Sequence, residues 1–148
     1  MTAEPRLSYV IGRLDRILRR RLAAAVEPCG LTLPAYTALS VLRAHDGLSN
    51  ARLARRSLVT PQSMSEVLGL LVDRGYVRRL AEPGHARIIR MELTRTGSRV
   101  LERCDEAVDA VERAMLGSLD ADEAAGIRDT LAGWGRALEH QPAGSTAG

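Results

Sequence analysis

The sequence predicts a mostly α-helical chain with one small β-hairpin set between its fourth and fifth helices. Three observations carry this. Apolar residues recur at helical spacing near both ends of the 148 residues. Between Ser49 and Gly75 lie two short helical stretches with their own start and stop residues. After Gly75 the apolar period shortens to that of strands, around a Pro-Gly turn signal.

The first helix is read from Leu7, Val10, Ile11, Leu14, Ile17, Leu18, Leu22 and Ala25, and it ends before Pro28 and Gly30. Its apolar face is larger than one small neighbour would cover, so part of it is expected to pack on a second copy. Thr32 caps the second helix, with Pro34 in its first turn; Tyr36, Leu39 and Leu42 form its buried face and His45-Asp46-Gly47 its end. Ser49 caps the third, Asn50 to Ser57, with Leu53, Ala54 and Leu58 on one side and Arg52, Arg55 and Arg56 on the other. Thr60 caps the fourth, Pro61 occupies the first helical position, and Gly75 stops the helix after Arg74. Met64, Val67, Leu68 and Leu71 face inward, leaving Gln62, Ser63, Ser65, Glu66 and Gly69 outside.

Strands are expected over Tyr76 to Leu80 and Ile88 to Leu93, joined by Ala81 to Ala86. From Thr94 a long fifth helix carries Val100, Leu101, Cys104, Val108, Val111 and Met115. Asp120 and Glu123 form a capping box for the sixth, whose stripe is Ala124, Ile127, Leu131, Trp134 and Leu138. The tail, 141–148, is expected to be disordered. The organisation read from this is a dimerisation helix over 1–30, a central lobe over 31–97, dimerisation helices over 98–140, and the tail.

Charge and side-chain chemistry narrow the function. Net charge is only +3, but residues 50–99 hold ten Arg against four acids, and residues 100–148 four Arg against ten acids. A basic middle of this kind attracts phosphates. All 21 basic residues are Arg, a compositional bias rather than a site. With no Phe, one Trp and three Tyr, the chain is poorly supplied for stacking single-stranded bases. The short polar side chains Thr60, Gln62, Ser63, Ser65 and Glu66, near a helix start, suit base edges in a major groove, and Arg52, Arg55 and Arg56 suit phosphates. A hairpin bearing Arg78, Arg79, Arg87 and Arg90 directly after a helix pair has the order of a winged helix-turn-helix, its wing placed to send an arginine into a minor groove. The same residues also fit a helical hairpin with a polar face and a charge-protected sheet edge.

Other classes find little support. His45, His85 and His140 fall at a helix end, a wing tip and a tail, and no phosphate loop, metal spacing or nucleophile with a base accompanies them. No catalytic residue, metal or cofactor is expected. Cys29 and Cys104 show no metal or redox spacing; Cys104 reads as a buried hydrophobe, and Cys29, in a connector, as the more exposed thiol. Neither a signal peptide pattern nor a membrane-spanning run is evident, so a cytoplasmic location is expected.

The order of elements resembles the MarR family of bacterial transcriptional regulators, and individual stretches carry the likeness. Leu31-Thr32-Leu33-Pro34 is similar to the family's second-helix opening. Ser49 to Leu58, Thr60-Pro61-Gln62-Ser63-Met64-Ser65, Leu71, Gly75 and Val77-Arg78-Arg79 resemble its helix-turn-helix and strand entry, and Leu93-Thr94-Arg95-Thr96-Gly97 the motif closing its wing. His85-Ala86-Arg87 stands where many members carry Asp-x-Arg or Asp-Arg-Arg, so Arg87 keeps the wing arginine while the acid is gone.

The resemblance implies a homodimer built by the first and last helices, binding an imperfectly palindromic double-stranded operator as a repressor. It further implies release by a small, often aromatic, anionic effector in a cleft near the first, second and fifth helices, where Arg16 or Arg20 is available for a carboxylate and Tyr36 for an aromatic ring. The alternative is an architectural DNA-binding protein without an effector, using the same basic surface without sequence preference.

Overall fold

The computed structural model describes residues 3–141. Its elements run α1 (Leu7–Val26), α2 (Leu33–Ala44), α3 (Asn50–Arg56), α4 (Pro61–Asp73), β1 (Val77–Glu82), β2 (His85–Leu93), α5 (Arg95–Leu116) and α6 (Ala121–His140), with a 3-10 turn over Glu27–Cys29. This is the helical architecture with one antiparallel hairpin that the sequence predicts. The described residues fall into two compact units, one ending at Val111 and the other starting at Glu112. Of the tail expected to be disordered, 142–148 lies outside the described residues.

The first unit is organised around one core. Ala35, Ala38, Leu39 and Leu42 of α2 meet Leu53 and Ala54 of α3, Met64, Leu68 and Leu71 of α4, Val77 and Met91 of the hairpin, and Val100, Leu101, Cys104 and Val108 of α5. No polar or charged residue is buried among the described ones. Aliphatic side chains with Met64, Met91 and Cys104 make up its buried residues, and Tyr36 and Tyr76 pack against them only partly buried.

Caps set the helix starts. Thr32 accepts from the Ala35 N–H at 3.3 Å, Ser49 from Arg52 at 3.4 Å and Thr60 from Ser63 at 3.1 Å. In the second unit Asp120 and Glu123 close the reciprocal capping box at 2.8 and 2.9 Å.

Three local expectations are corrected. The wing connection is not six residues but the two-residue turn Pro83-Gly84, because the ladder resumes with Glu82 opposite His85 after a register shift at Ala81/Glu82. Pro83 presets the turn and Gly84 supplies a φ of 82°. Leu58 does not share the buried side of α3; it is 80% exposed. Helix α3 ends in a Schellman closure, with Val59 N–H donating to the Ala54 carbonyl (3.1 Å) and Leu58 N–H to that of Arg55 (3.3 Å). This puts Leu58 at the left-handed position, φ 57°, and packs Val59 against the core in its place. Met115, read as part of the α5 stripe, is 43% exposed because the buried run of that helix ends at Val108.

The junction of α4, β1 and α5 is tightly made. The Thr94 hydroxyl donates to the Gly75 carbonyl at 2.6 Å and accepts from Gly97 N–H at 3.0 Å, while the Thr94 N–H donates to the Tyr76 carbonyl at 3.1 Å. A Cβ on Gly97 would stand 2.2 Å from that Tyr76 oxygen, so only glycine lets the helix approach this closely.

Candidate nucleic-acid interface

The α3–α4 pair and the wing frame a groove of about 660 Å³, with Ser49, Asn50, Arg52 and Ser65 on one wall and Arg79, Glu82, Arg87 and Arg90 on the other. The two helices are tied on the first wall by Asn50 Nδ2 donating to Ser65 Oγ at 2.5 Å. Burying Met64, Leu68 and Leu71 turns the opposite side of α4 outward, leaving Gln62, Ser63, Ser65 and Glu66 exposed.

These polar residues are not equivalent. Thr60 is engaged in capping, and its hydroxyl also donates to Ser63 Oγ at 2.9 Å; Ser65 is held by Asn50. Gln62 and Glu66 have no side-chain hydrogen-bond partner among the described residues. Arg52 and Arg55 are exposed on α3 in the same condition, whereas Arg56 Nη1 lies 3.2 Å from His45 Nε2. On the wing, Arg87 is exposed and its guanidinium is unpaired among the described residues, but Arg90 is paired with Glu82.

The residues suggested for an effector are arranged differently from the DNA-facing set. Tyr36 donates its hydroxyl to Asp105 Oδ1 at 2.9 Å, and Arg43 grips the same carboxylate at 2.5 and 3.3 Å. Burial, and then this bond to a carboxylate, pushes the Tyr36 phenol up to about 12. At Asp105 burial works upward but is outweighed by the hydrogen bonds from Arg43 and Tyr36 and by the Arg43 charge, so its carboxyl lies below the ordinary range. Arg16 and Arg20 are exposed on α1. A separate cleft of about 300 Å³ runs between α1, α2 and the α3–α4 turn, walled by Leu18, Leu22, Pro34 and Leu58, with Arg19 and Arg56 as its cations. Arg19 is itself paired with Asp15 at 2.9 Å.

Sequence reasoning did not anticipate Arg19 at a cleft, the Asp105 clamp, or the Glu82–Arg90 pair. Nor did it join the two cysteines: Cys29 packs against the core that holds Cys104. Burial first, and then the neighbouring Cys29, push the Cys104 thiol up to about 12. Opposite charges flanking a Pro-Gly turn were the one legible signal, for Glu82 and Arg90.

Among known proteins, the family model described as MarR family matches residues 30–88. The HTH-type transcriptional repressor Rv2887 of Mycobacterium tuberculosis is 38% identical over 117 residues, which cover 79% of this chain and 84% of that protein. The crystal structure of Rv2887 in complex with DNA superposes with a TM-score of 0.73 at 34% identity, covering 89% of this chain and 99% of that one. Its complex with p-aminosalicylic acid gives 0.73 at 35% identity, covering 88% and 99%. With 38% identity to a relative of which it covers more than four fifths, and with the hairpin and helix order described above, this chain belongs to the MarR family of transcriptional regulators.

Proposed function

We propose that this protein is a sequence-specific double-stranded DNA-binding repressor, working in the cytoplasm as a homodimer without catalysis and released by a small aromatic acid. The observation that carries the reading is the exposed start of α4, where Gln62 and Glu66 stand outward beside a groove whose far wall bears Arg87. Gln62 reads a base edge, Glu66 accepts from a cytosine amino group, and the Thr60, Ser63 and Ser65 hydroxyls line the approach. Arg52, Arg55 and Arg56 take phosphates, and Arg87 takes the minor groove. Relatedness to a repressor crystallised with DNA supports this assignment.

The effector part draws on the relative crystallised with p-aminosalicylic acid and on the cleft beside the α3–α4 turn. Its apolar walls suit an aromatic ring and its arginines a carboxylate. Arg56 belongs to both sets, exposed for a phosphate and lining the cleft. An acid bound there draws on a cation that operator binding also uses, which couples the two events. Arg16 and Arg20 remain available on α1, and Tyr36 serves as a strut to α5.

Selection of bound duplexes from a random pool, followed by affinity measurements at several salt concentrations, tests the reading. An imperfect palindrome with half-sites about 34 Å apart is expected. Gln62→Ala should cost on the order of 1–3 kcal/mol on that operator and little on random DNA, while Arg55→Ala should weaken both and lower the salt slope by about one. Equal losses on operator and random DNA for both variants would favour an architectural protein.

A further inference from the structure

Arg90 carries a basic side chain on the wing, yet its surroundings differ from those of Arg87. Its Nη2 donates to Glu82 Oε1 across the hairpin. Its stem lies over Gly47, where a Cβ would meet Arg90 Nη1 at 3.6 Å and Cδ at 3.7 Å. The next residue is stitched to the segment entering α3: Met91 N–H donates to the Leu48 carbonyl at 2.8 Å, and Gly47 N–H to the Met91 carbonyl at 3.2 Å. Arg90 therefore spans from the lead-in of α3 to the far strand of the wing.

The ladder shows why such a span matters. Ala81 pairs with Ile89 and Glu82 with His85, so the register shifts there and β2 carries Arg87 in a bulge between these two pairs. A bulge re-aims the side chains it carries, and it leaves their direction to whatever holds its base. Glu82 lies on the tip side of that bulge and Arg90 on the root side, and their ion pair closes it.

We propose that Arg90 is a positioning residue and not a phosphate ligand: paired with Glu82 and laid across Gly47, it fixes the wing bulge so that Arg87 is presented to the DNA. This rests on the DNA-binding reading above for its purpose, but the brace itself is a property of the free protein. The wing of this chain has His85 where many members of the family it resembles carry an acid, and Glu82 supplies a carboxylate from the opposite strand.

Two measurements test it. In the free protein, hydrogen exchange of the amides over 85–90 should quicken in Glu82→Gln and in Arg90→Gln and return to the wild-type rate in the charge-swapped Glu82→Arg/Arg90→Glu chain. On the selected operator, Glu82→Gln should weaken binding about fivefold per wing, the scale of a good surface ion pair. Arg90→Gln should do the same without changing the salt slope, and the swap should restore affinity. If Arg90 is instead a phosphate ligand masked by Glu82, then Glu82→Gln tightens binding and Arg90→Gln lowers the slope by about one; either result overturns the proposal, as does unchanged exchange. Should the exchange respond as expected while the wild-type protein selects no DNA sequence, the brace stands and the DNA-binding reading falls.

Discussion

The central lobe and the terminal helices use the same aliphatic residues to opposite ends. In the lobe, Leu39, Leu42, Leu53, Met64, Leu68 and Leu71 are at most 1% exposed. On α1 only Val26 is buried, while Leu7, Val10, Ile11, Leu14 and Ile17 stay 39% or more exposed, and α6 buries none of its residues. One region completes its core from its own chain. The other leaves helical apolar stripes exposed, too regular to be scattered surface residues, and under the homodimer proposed above a second copy would cover them.

The largest effect should come from breaking that second region. Leu14→Glu places a charge on the stripe of both copies, so in a two-fold interface its cost counts twice, on the order of 3 kcal/mol or more per dimer. Sedimentation at micromolar concentration should show a monomer that keeps its helical content, with operator affinity lost. A variant that remained dimeric, or a wild-type chain found monomeric, would remove the contrast.

Glycine replacements sharpen the comparison from the lobe's side. Gly97→Ala forces a Cβ against the Tyr76 oxygen and should lower stability by about 1–3 kcal/mol. Gly69→Ala, where nothing lies within 4 Å, should raise it by up to about 1 kcal/mol through helix propensity. Thermal denaturation of the two variants should move in opposite directions; an undiminished stability in Gly97→Ala would mean the lobe is packed less closely at this junction, and a loss in Gly69→Ala would count against an open outer face on α4.

The smallest effect concerns the clamp that holds α2 to α5. Asp105 has a depressed pKa in the folded state, so its contribution is present above the ordinary carboxylate range and is lost as pH falls through the lower folded value. Tyr36 has a raised one, so its contribution is intact below pH 10 and is lost as pH rises between 10 and about 12. Each change should amount to less than about 1 kcal/mol for these partly exposed groups. Tyr36→Phe should flatten the alkaline limb of a stability-against-pH curve, and Asp105→Asn the acid limb.

Much of this was legible in the order of residues. Caps such as Thr60 and Asp120 act within three positions, and apolar stripes act within a turn or two, so both survive without knowledge of the fold. Leu58 escaped because helical spacing continues through a closure that in fact reverses the chain, and nothing but glycine usually announces that position. The wing ends were misjudged because a bulge breaks the alternation that defines a strand. Partnerships such as Tyr36 with Asp105, Cys29 with Cys104, and Arg90 with Gly47 depend on how α2, α5, the hairpin and the α3 lead-in meet, which local pattern does not encode. The same holds for the interface: its exposed members could be named from α3 and α4 alone, whereas which of them are already occupied could not.

Thr94 has a mechanical consequence. One side chain and one amide fasten the exit of α4, the root of β1 and the entry of α5, and Gly97 leaves no clearance there for a hinge. A rotation of α5 at this end should therefore pass to α4 and the wing together, as to two prongs of one fork. Under the function proposed above, a coupling of this kind would keep their mutual spacing and leave an effector only the separation between the two forks of a dimer to alter, the quantity that the pitch of DNA measures.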